Sequence, residues 1–299
     1  MLGQHRVPLV FLCVFLCACL CLPSSTFAKN SLWDDLIGRL EREGIERAYL
    51  ETIYSHNEVK FEPGAMPKKL LHRERPHDYT KFLRPQRIKK AIDFLKSNKK
   101  LFIEVEKAYG VPAPVKAALL LVETDLGNYT GKHRVVNILS SMAISYDIDK
   151  ISPWLPKDIL SDQKKLAYYR KRAKTKSKWA LKELKAFFIF CKKNKIDPVT
   201  VKGSPFGAFG ICQFIPSSAL RYAVDYDGDG RVDLFDLDDA LASVANYLKQ
   251  HGWRPGISRE KAFRCLLTYN RSRPYANTIL DAARQIAERL DNEYHTAER

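Results

Sequence analysis

The chain is poor in usable cysteine. Of its seven cysteines, Cys13, Cys17, Cys19 and Cys21 fall in the first 21 residues, leaving only Cys191, Cys212 and Cys265. Three widely spaced cysteines cannot close a disulfide framework and lack zinc-ligand spacing, so cysteine chemistry does not carry the function. Also missing are a His-Glu-x-x-His metal helix, a Gly-x-Ser-x-Gly nucleophile turn and a dinucleotide fingerprint. Gly127-Asn128-Tyr129-Thr130-Gly131-Lys132-His133 is one residue short of a phosphate loop and lacks the magnesium-binding hydroxyl. No alternating strand pattern persists, and no segment repeats. Acid is scarce as well: 34 Asp+Glu stand against 50 Lys+Arg, a net +16. Hydrophobic residues at 45% and charged residues at 28% exclude a disordered tail, a collagen-like repeat and a multi-span membrane protein. The 299 residues allow one large domain or two ordinary ones.

The clustered cysteines sit inside an export signal. His5 and Arg6 precede an apolar run from Val7 to Leu22, and Pro23-Ser24-Ser25-Thr26-Phe27-Ala28 supplies small residues suited to cleavage after Ala28. The run is short for a spanning helix, so residues 1–28 read as a secretory signal, with an uncleaved anchor as the alternative. Leu16-Cys17-Ala18-Cys19 also approximates a lipobox ending at Cys19, where a lipidated cysteine would become the N-terminus. The expected location is outside the cytoplasm, in the periplasm, with simple cleavage and a lipid anchor to the outer membrane both open.

What remains is patterned for helices. Leu36-Ile37, Leu40, Ile45, Ala48, Leu50 and Ile53 recur at roughly helical spacing. Arg87 to Tyr109 repeats apolar residues at Ile88, Ile92, Leu95, Phe102, Val105 and Ala108, with a break at Ser97-Asn98 and a stop at Gly110. Val111 to Leu126 reads as a helix with Pro112 and Pro114 at its start and Gly127 beyond its end. Asp239 to His251, Lys261 to Tyr269 and Thr278 to Leu290 continue the pattern, whereas Phe61 to Pro85 is Pro-rich, charged and reads as a surface connection. The fold class is mostly α.

The positive charge is local. Between Lys150 and Lys195 stand fifteen Lys+Arg and three acids, a net +12, and the remaining chain after residue 28 is close to +3. Lys164-Lys165-Leu166-Ala167-Tyr168-Tyr169-Arg170-Lys171-Arg172 interleaves cations with aromatics. An exported protein seldom meets nucleic acid, so none is expected as a partner. An anionic membrane or wall polymer suits the window better, and a solvated helix face would carry the same charges.

Asp225-Tyr226-Asp227-Gly228-Asp229-Gly230-Arg231 places carboxylates at positions 1, 3 and 5 and Gly at 6. This is the front half of an EF-hand-like loop, in which side-chain oxygens converge on a hard cation such as Ca2+ and the glycine permits a sharp turn. The Arg231 carbonyl would serve at position 7. Asp236 occupies position 12 in place of the usual Glu, and Asp239 is the other candidate to close the loop. A single loop outside the cell would brace structure, and no organic cofactor is expected.

Glu123 ends the apolar run Ala117-Ala118-Leu119-Leu120-Leu121-Val122. A carboxylate in such surroundings is costly to ionise, which suits a general acid. Glu123-Thr124-Asp125-Leu126-Gly127 with Gly131-Lys132 and Leu139, then the glycine-rich stretch from Gly203 to Ser218, resembles the lytic transglycosylases of lysozyme-like fold. The calcium loop, Ser243-Val244-Ala245-Asn246-Tyr247, His251-Gly252-Trp253, Thr268-Tyr269-Asn270 and Tyr275 are similar to the membrane-bound lytic transglycosylase B branch, and the matches span Leu101 to Ile286.

The resemblance implies a layout and a set of roles. An N-terminal helical region would cover 29–97 and a lysozyme-like core 98–290, with a basic insertion at 150–195, the calcium loop at 225–239 and a tail at 291–299. Glu123 would act alone as acid and base on the bond between N-acetylmuramic acid and N-acetylglucosamine in peptidoglycan glycan strands, leaving a 1,6-anhydro end. Two-carboxylate glycosidases need a partner acid, and none is obvious near Glu123. Ser204 and Gln213 would bond near the scissile sugar, while Tyr247, Tyr269, Asn270 and Tyr275 would line the groove. The family pattern favours Asp225, Asp227, Asp229, the Arg231 carbonyl and Asp239 as calcium ligands. The family's arginine pair after the catalytic helix is replaced here by Asp147-Ile148-Asp149-Lys150. A hydrolytic muramidase and a non-catalytic wall-binding scaffold are the alternatives.

Overall fold

The computed structural model describes residues 32–72 and 79–297, and the leader and lipobox lie outside them. Three short helices come first: α1 (Asp34–Arg42), α2 (Arg47–Tyr54) and α3 (Ala65–Leu71). α4 (Pro85–Ser97) and α5 (Lys99–Tyr109) are separated at Asn98, as the sequence pattern requires. α5 stops at Gly110, whose φ of 73° is open to glycine at little cost. α6 (Ala113–Thr124) and α7 (Val135–Ile144) follow, then α8 (Lys157–Leu160), α9 (Gln163–Lys193), α10 (Pro216–Tyr222), α11 (Leu237–Gln250), α12 (Arg259–Tyr269) and α13 (Arg273–Ala297). The expected tail from residue 291 therefore continues α13. A two-residue antiparallel ladder pairs His133 with Gly203 and Arg134 with Lys202.

α6 is the axis of the packing. Val115 to Leu121 are all buried, so the helix has no solvent face along its middle, the pattern of a helix enclosed on all sides. α4, α5, α11 and α13 surround it. Contacts group Trp33–Arg299 into one compact unit, so residue 97 marks no division between separate bodies.

Two stretches differ from the sequence expectation. Phe61–Pro85 is not only a surface connection: it forms α3, whose Met66 and Leu70 are buried against α7 and α9. Pro67 is tolerated because it falls in the first turn, where backbone N–H groups have no intrahelical partner. The basic window is not a surface appendage. It contains a 3-10 turn (Ile148–Trp154), α8 and the 31-residue α9. Asp162 caps α9, its Oδ1 accepting from the N–H groups of Lys164 and Lys165 at 2.9 and 3.0 Å. Beyond Ala173 the helix buries Leu184, Phe187, Phe188, Phe190 and Cys191 and packs on α7 and α10. The lysines keep to the outer face, and the second half of the window is core. No helix among the described residues is long and apolar enough to cross a membrane.

One charge is enclosed within this core. Lys116, on α6, is fully buried and its Nζ donates to the Phe102 carbonyl at 2.9 Å. Burial pushes its pKa down from 10.5 to about 8, against the opposing pull of the Glu106 charge. The folded value lies below the unfolded one, so the penalty is complete below pH 8 and is relieved as pH rises from about 8 towards 10.5. Lys116→Met should therefore raise stability at pH 7, by roughly 1–3 kcal/mol. The gain should shrink as pH approaches 10 in urea titrations. A variant less stable at pH 7 would show that the ammonium is held by contacts worth more than its dehydration.

Candidate active site

The site is built around the point where α6 stops. Asp125 and Leu126 take left-handed φ values of 55° and 64°, and Leu126 N–H closes on the Leu120 carbonyl at 3.0 Å. Glu123 is thereby held in the last turn and half-buried, not enclosed as the apolar run before it suggests. The Thr124 hydroxyl donates to the Ile211 carbonyl at 2.8 Å and accepts from Gly127 N–H at 3.0 Å. The acid-bearing helix is thus tied to the glycine-rich segment 87 residues later in the chain.

α13 packs along α6 and brings Tyr275 to the acid. The Tyr275 hydroxyl donates to Glu123 Oε1 at 2.5 Å. Tyr275 is 1% exposed, and burial together with the Glu123 charge holds its phenol well above the ordinary tyrosine range. It therefore remains a donor at any ordinary pH. Tyr269 stacks on it with ring centres 6.4 Å apart and donates to the Cys212 carbonyl. Tyr247 is buried, donates to the Thr268 carbonyl at 2.8 Å and stacks on His251. Asn270 is half-buried at the end of α12.

Gln213 has a φ of 51°, and its Nε2 donates to the carbonyls of Thr130 and Gly210, each at 2.9 Å. Ser204 closes the turn of the glycine-rich segment, its Oγ accepting from Phe206 and Ala208 N–H at 3.2 and 3.1 Å. The backbones of this segment and the loop after α6 touch directly. A Cβ on Gly131, whose φ is +105°, would lie 2.1 Å from the Gly203 carbonyl oxygen, so only glycine fits.

A cavity of about 380 Å³ opens beside Glu123. Its other walls come from Lys81, Phe82, Arg84, Arg87, Asp125 and Tyr129. Of the expected sugar-handling residues, Glu123 alone lines it, while the others brace the segments behind. Sequence reading missed Lys81, Arg84 and Arg87, because they sit in or just after the stretch taken as a surface connection. It also missed Tyr129, which is 61% exposed and lies just past the Glu123 motif. Asp125 places a second carboxylate in the cavity, but Arg87 holds its Oδ1 at 2.8 Å and Lys90 its Oδ2 at 2.7 Å. Two carboxylates share the cavity, and one is already neutralised.

The acidic loop is separate. One oxygen from each of Asp225, Asp227 and Asp229 lies within 4.8 Å of the others, all three exposed. Asp225 also accepts from Gly228 and Gly230 N–H at 2.8 and 3.0 Å, which folds the loop around its own carboxylates. Asp239, expected among the ligands, is outside this triplet. It is 2% exposed on α11, and its two oxygens accept from Tyr226 and Asp233 N–H, each at 2.7 Å, so it clasps the loop from beneath. Asp236 is committed to capping α11, accepting from Asp238 N–H at 2.8 Å. The Arg231 side chain turns to Asp229 at 2.9 Å. Three converging carboxylates fit a hard divalent cation.

The family described as "Transglycosylase SLT domain" matches residues 28–260. The chain belongs to it. Membrane-bound lytic murein transglycosylase B of Escherichia coli is 31% identical over 176 residues, covering 59% of this chain and 41% of that protein. The chain thus spans about two fifths of the length of that relative. Among solved structures, soluble lytic transglycosylase SltB1 from Pseudomonas aeruginosa has a TM-score of 0.70 and 25% identity, covering 86% of this chain and 98% of that one. The Escherichia coli lytic transglycosylase Slt35 in complex with calcium has a TM-score of 0.67 and 23% identity, covering 88% and 94%, a likeness of fold. The fold is that of the lysozyme-like lytic transglycosylases.

The join between α6 and the glycine-rich segment gives a stability prediction. Thr124→Val keeps the shape but leaves the Ile211 carbonyl and Gly127 N–H without their partner. An unsatisfied buried group costs about 1–3 kcal/mol, so the unfolding free energy should fall by that amount, read as a lower urea midpoint at an unchanged m-value. An unchanged midpoint would show that the two segments are held by packing alone.

Proposed function

We propose that this chain is a peptidoglycan lytic transglycosylase. It cleaves the β-1,4 bond between N-acetylmuramic acid and N-acetylglucosamine and leaves 1,6-anhydro ends, with Glu123 as the only acid and base. The observation that carries this reading is the contrast between two carboxylates in one cavity. Glu123 faces the cavity with a neutral phenol on one oxygen, whereas Asp125 is clamped by Arg87 and Lys90. A glycosidase working through two carboxylates needs a second acid beside Glu123, and here Asp125 is already engaged by two cations. The family and the murein-lytic relative support the same reading.

In the first step Glu123, protonated, gives its proton to the glycosidic oxygen as the C1–O bond breaks. The muramoyl 6-hydroxyl then attacks C1 and its proton returns to the Glu123 carboxylate, so the acid is regenerated and no water is consumed. The Tyr275 hydroxyl orients the carboxyl throughout. Tyr269, Tyr247, Asn270, Ser204 and Gln213 shape the groove, chiefly by fixing the backbone that surrounds the sugar. The substrate is the glycan strand of the wall, and the enzyme works in the cell envelope, with export directed by residues 1–28 and either cleavage after Ala28 or a lipid at Cys19 forming the N-terminus.

Glu123→Gln should abolish release of anhydro-ended muropeptides from purified sacculi while leaving the melting temperature within a few degrees of wild type. Mass analysis of the products decides the chemistry. Reducing ends alone from the wild-type chain would make it a hydrolytic muramidase, and anhydro ends from the variant would remove Glu123 from its role.

Calcium completes the proposal. Asp225, Asp227 and Asp229 with the Arg231 carbonyl would hold Ca2+, and Asp239 would support the loop that presents them. The ion would supply charge compensation between the carboxylates and brace the approach to α11. A ligand bound only by the folded state stabilises it by about 2.7 kcal/mol at a hundredfold excess over Kd. Added Ca2+ should therefore raise the melting temperature, and Asp225→Ala should lose most of that increment. A calcium response unchanged in the variant would place the ion elsewhere.

A further inference from the structure

A second cavity lies away from Glu123. It measures about 680 Å³ and opens between the middle of α9 and α10, closed at one end by Glu43 after α1. Leu181, Ile189 and Leu220 form its apolar floor, and Lys178, Lys182 and Arg221 stand on its rim. Leu220 is 37% exposed, so the apolar surface meets solvent. Among the described residues Glu43 is the single acid in the wall, and Lys185 holds it at 3.0 Å. Lys178, Lys182 and Arg221 make no ion pair among the described residues, which leaves the rim positive. Glu183 beneath the floor is already satisfied by Ser217, whose N–H and hydroxyl donate to it at 2.8 and 3.0 Å.

Among the described residues, no aromatic lines this cavity. Sugar rings are usually gripped by aromatic faces and convergent polar groups, and this wall offers methyl groups and ammoniums instead. The occupant that matches an apolar floor and a cationic rim is an anionic amphiphile. The surrounding surface points the same way. Lys164, Lys171, Lys174, Lys178 and Lys182 recur at intervals of three, four or seven residues, so they share one face of α9, and all five are exposed. The ion pairs on α9 engage other positions: Lys165 with Asp158, Arg170 with Asp149, Lys185 with Glu43 and Lys192 with Glu46. Tyr168, on the same stretch, is 57% exposed, as suits an aromatic at a headgroup boundary.

We propose that this face docks on an anionic membrane and that the cavity takes up the apolar part of an anionic phospholipid, with Lys178, Lys182 and Arg221 on its phosphate. The attachment is then of two kinds. The lysine stripe supplies a long-range attraction that salt screens, and the cavity supplies a short-range apolar contact that salt does not weaken.

The test uses the chain from residue 29, which holds the whole compact unit and carries no lipid. Co-sedimentation is measured with vesicles of phosphatidylglycerol in phosphatidylcholine and with phosphatidylcholine alone. The expected result is binding at least about tenfold stronger to the anionic vesicles, with a fraction that persists at 1 M salt, where the Debye length is about 3 Å. Lys178→Gln with Lys182→Gln and Arg221→Gln should lower low-salt binding by about tenfold. Leu220→Gln, at an exposed position outside the core, should keep low-salt binding and lose the salt-resistant fraction, with the melting temperature reporting that both variants are folded. Complete loss of wild-type binding at high salt, or a Leu220→Gln variant that behaves as wild type, would mean that the face is only a polycation and that the cavity takes no lipid. Equal binding to both vesicle types, or to neither, would also overturn the proposal. None of these readouts depends on turnover, so the outcome is independent of the lytic activity.

Discussion

The hydrogen bond from Thr124 to the Ile211 carbonyl fixes everything that the site can do. α6 delivers Glu123, but a helix surrounded by other helices could end a turn earlier or later without disturbing its neighbours much. The left-handed pair Asp125 and Leu126 sets the stop, and Thr124 then locks that stop to the segment that carries Gln213. Gly131 lets the two backbones approach until no side chain would fit between them. The placement of the acid relative to the glycine-rich segment is therefore set by one side-chain bond and a close main-chain approach.

Electrostatics then separates two carboxylates that sit two residues apart. Glu123 looks into the cavity beside a buried phenol that cannot ionise, and Asp125 looks towards Arg87 and Lys90. Environment, not residue type, separates them: one acid meets a buried phenol at the cavity wall, and the other becomes part of the frame. The cations that engage Asp125 come from α4, so the N-terminal helices complete the site. This is a physical reason why the chain folds as one unit from Trp33 onward.

The sequence revealed the parts whose signal is local. Apolar spacing gave most helices and the break at Asn98, Gly110 marked a stop, and Glu123 stood out as an acid closing an apolar run. The alternating aspartates of residues 225–229 led to the expectation of a cation loop, and the three carboxylates do converge. What escaped was set by contacts between distant segments. Tyr275 was read as part of the groove wall, but its burial against α6 turns it into a support for Glu123. Asp239 was expected among the ligands on the family pattern, and nothing in the sequence signalled that two backbone amides bond its oxygens. Lys81, Arg84 and Arg87 gave no signal at all, since a charged, Pro-rich stretch looks the same whether it faces water or a substrate.

The basic window shows the same limit from the other side. Its charge was plain in the sequence, but charge says nothing of how firmly it is carried. α9 buries Phe187, Phe188 and Phe190 in the core, and Glu183 on the same helix accepts two hydrogen bonds from Ser217 at the start of α10. α10 begins three residues after Gln213. The helix that displays the lysines is thus joined, through one buried carboxylate, to the segment that is bonded to the end of α6. A surface bound by the lysine face would hold the catalytic cavity at a fixed orientation to that surface, because no flexible segment intervenes between Lys182, Glu183 and Ser217. Charge on a flexible loop could recruit an enzyme to a polyanion, whereas charge on this helix can also aim it.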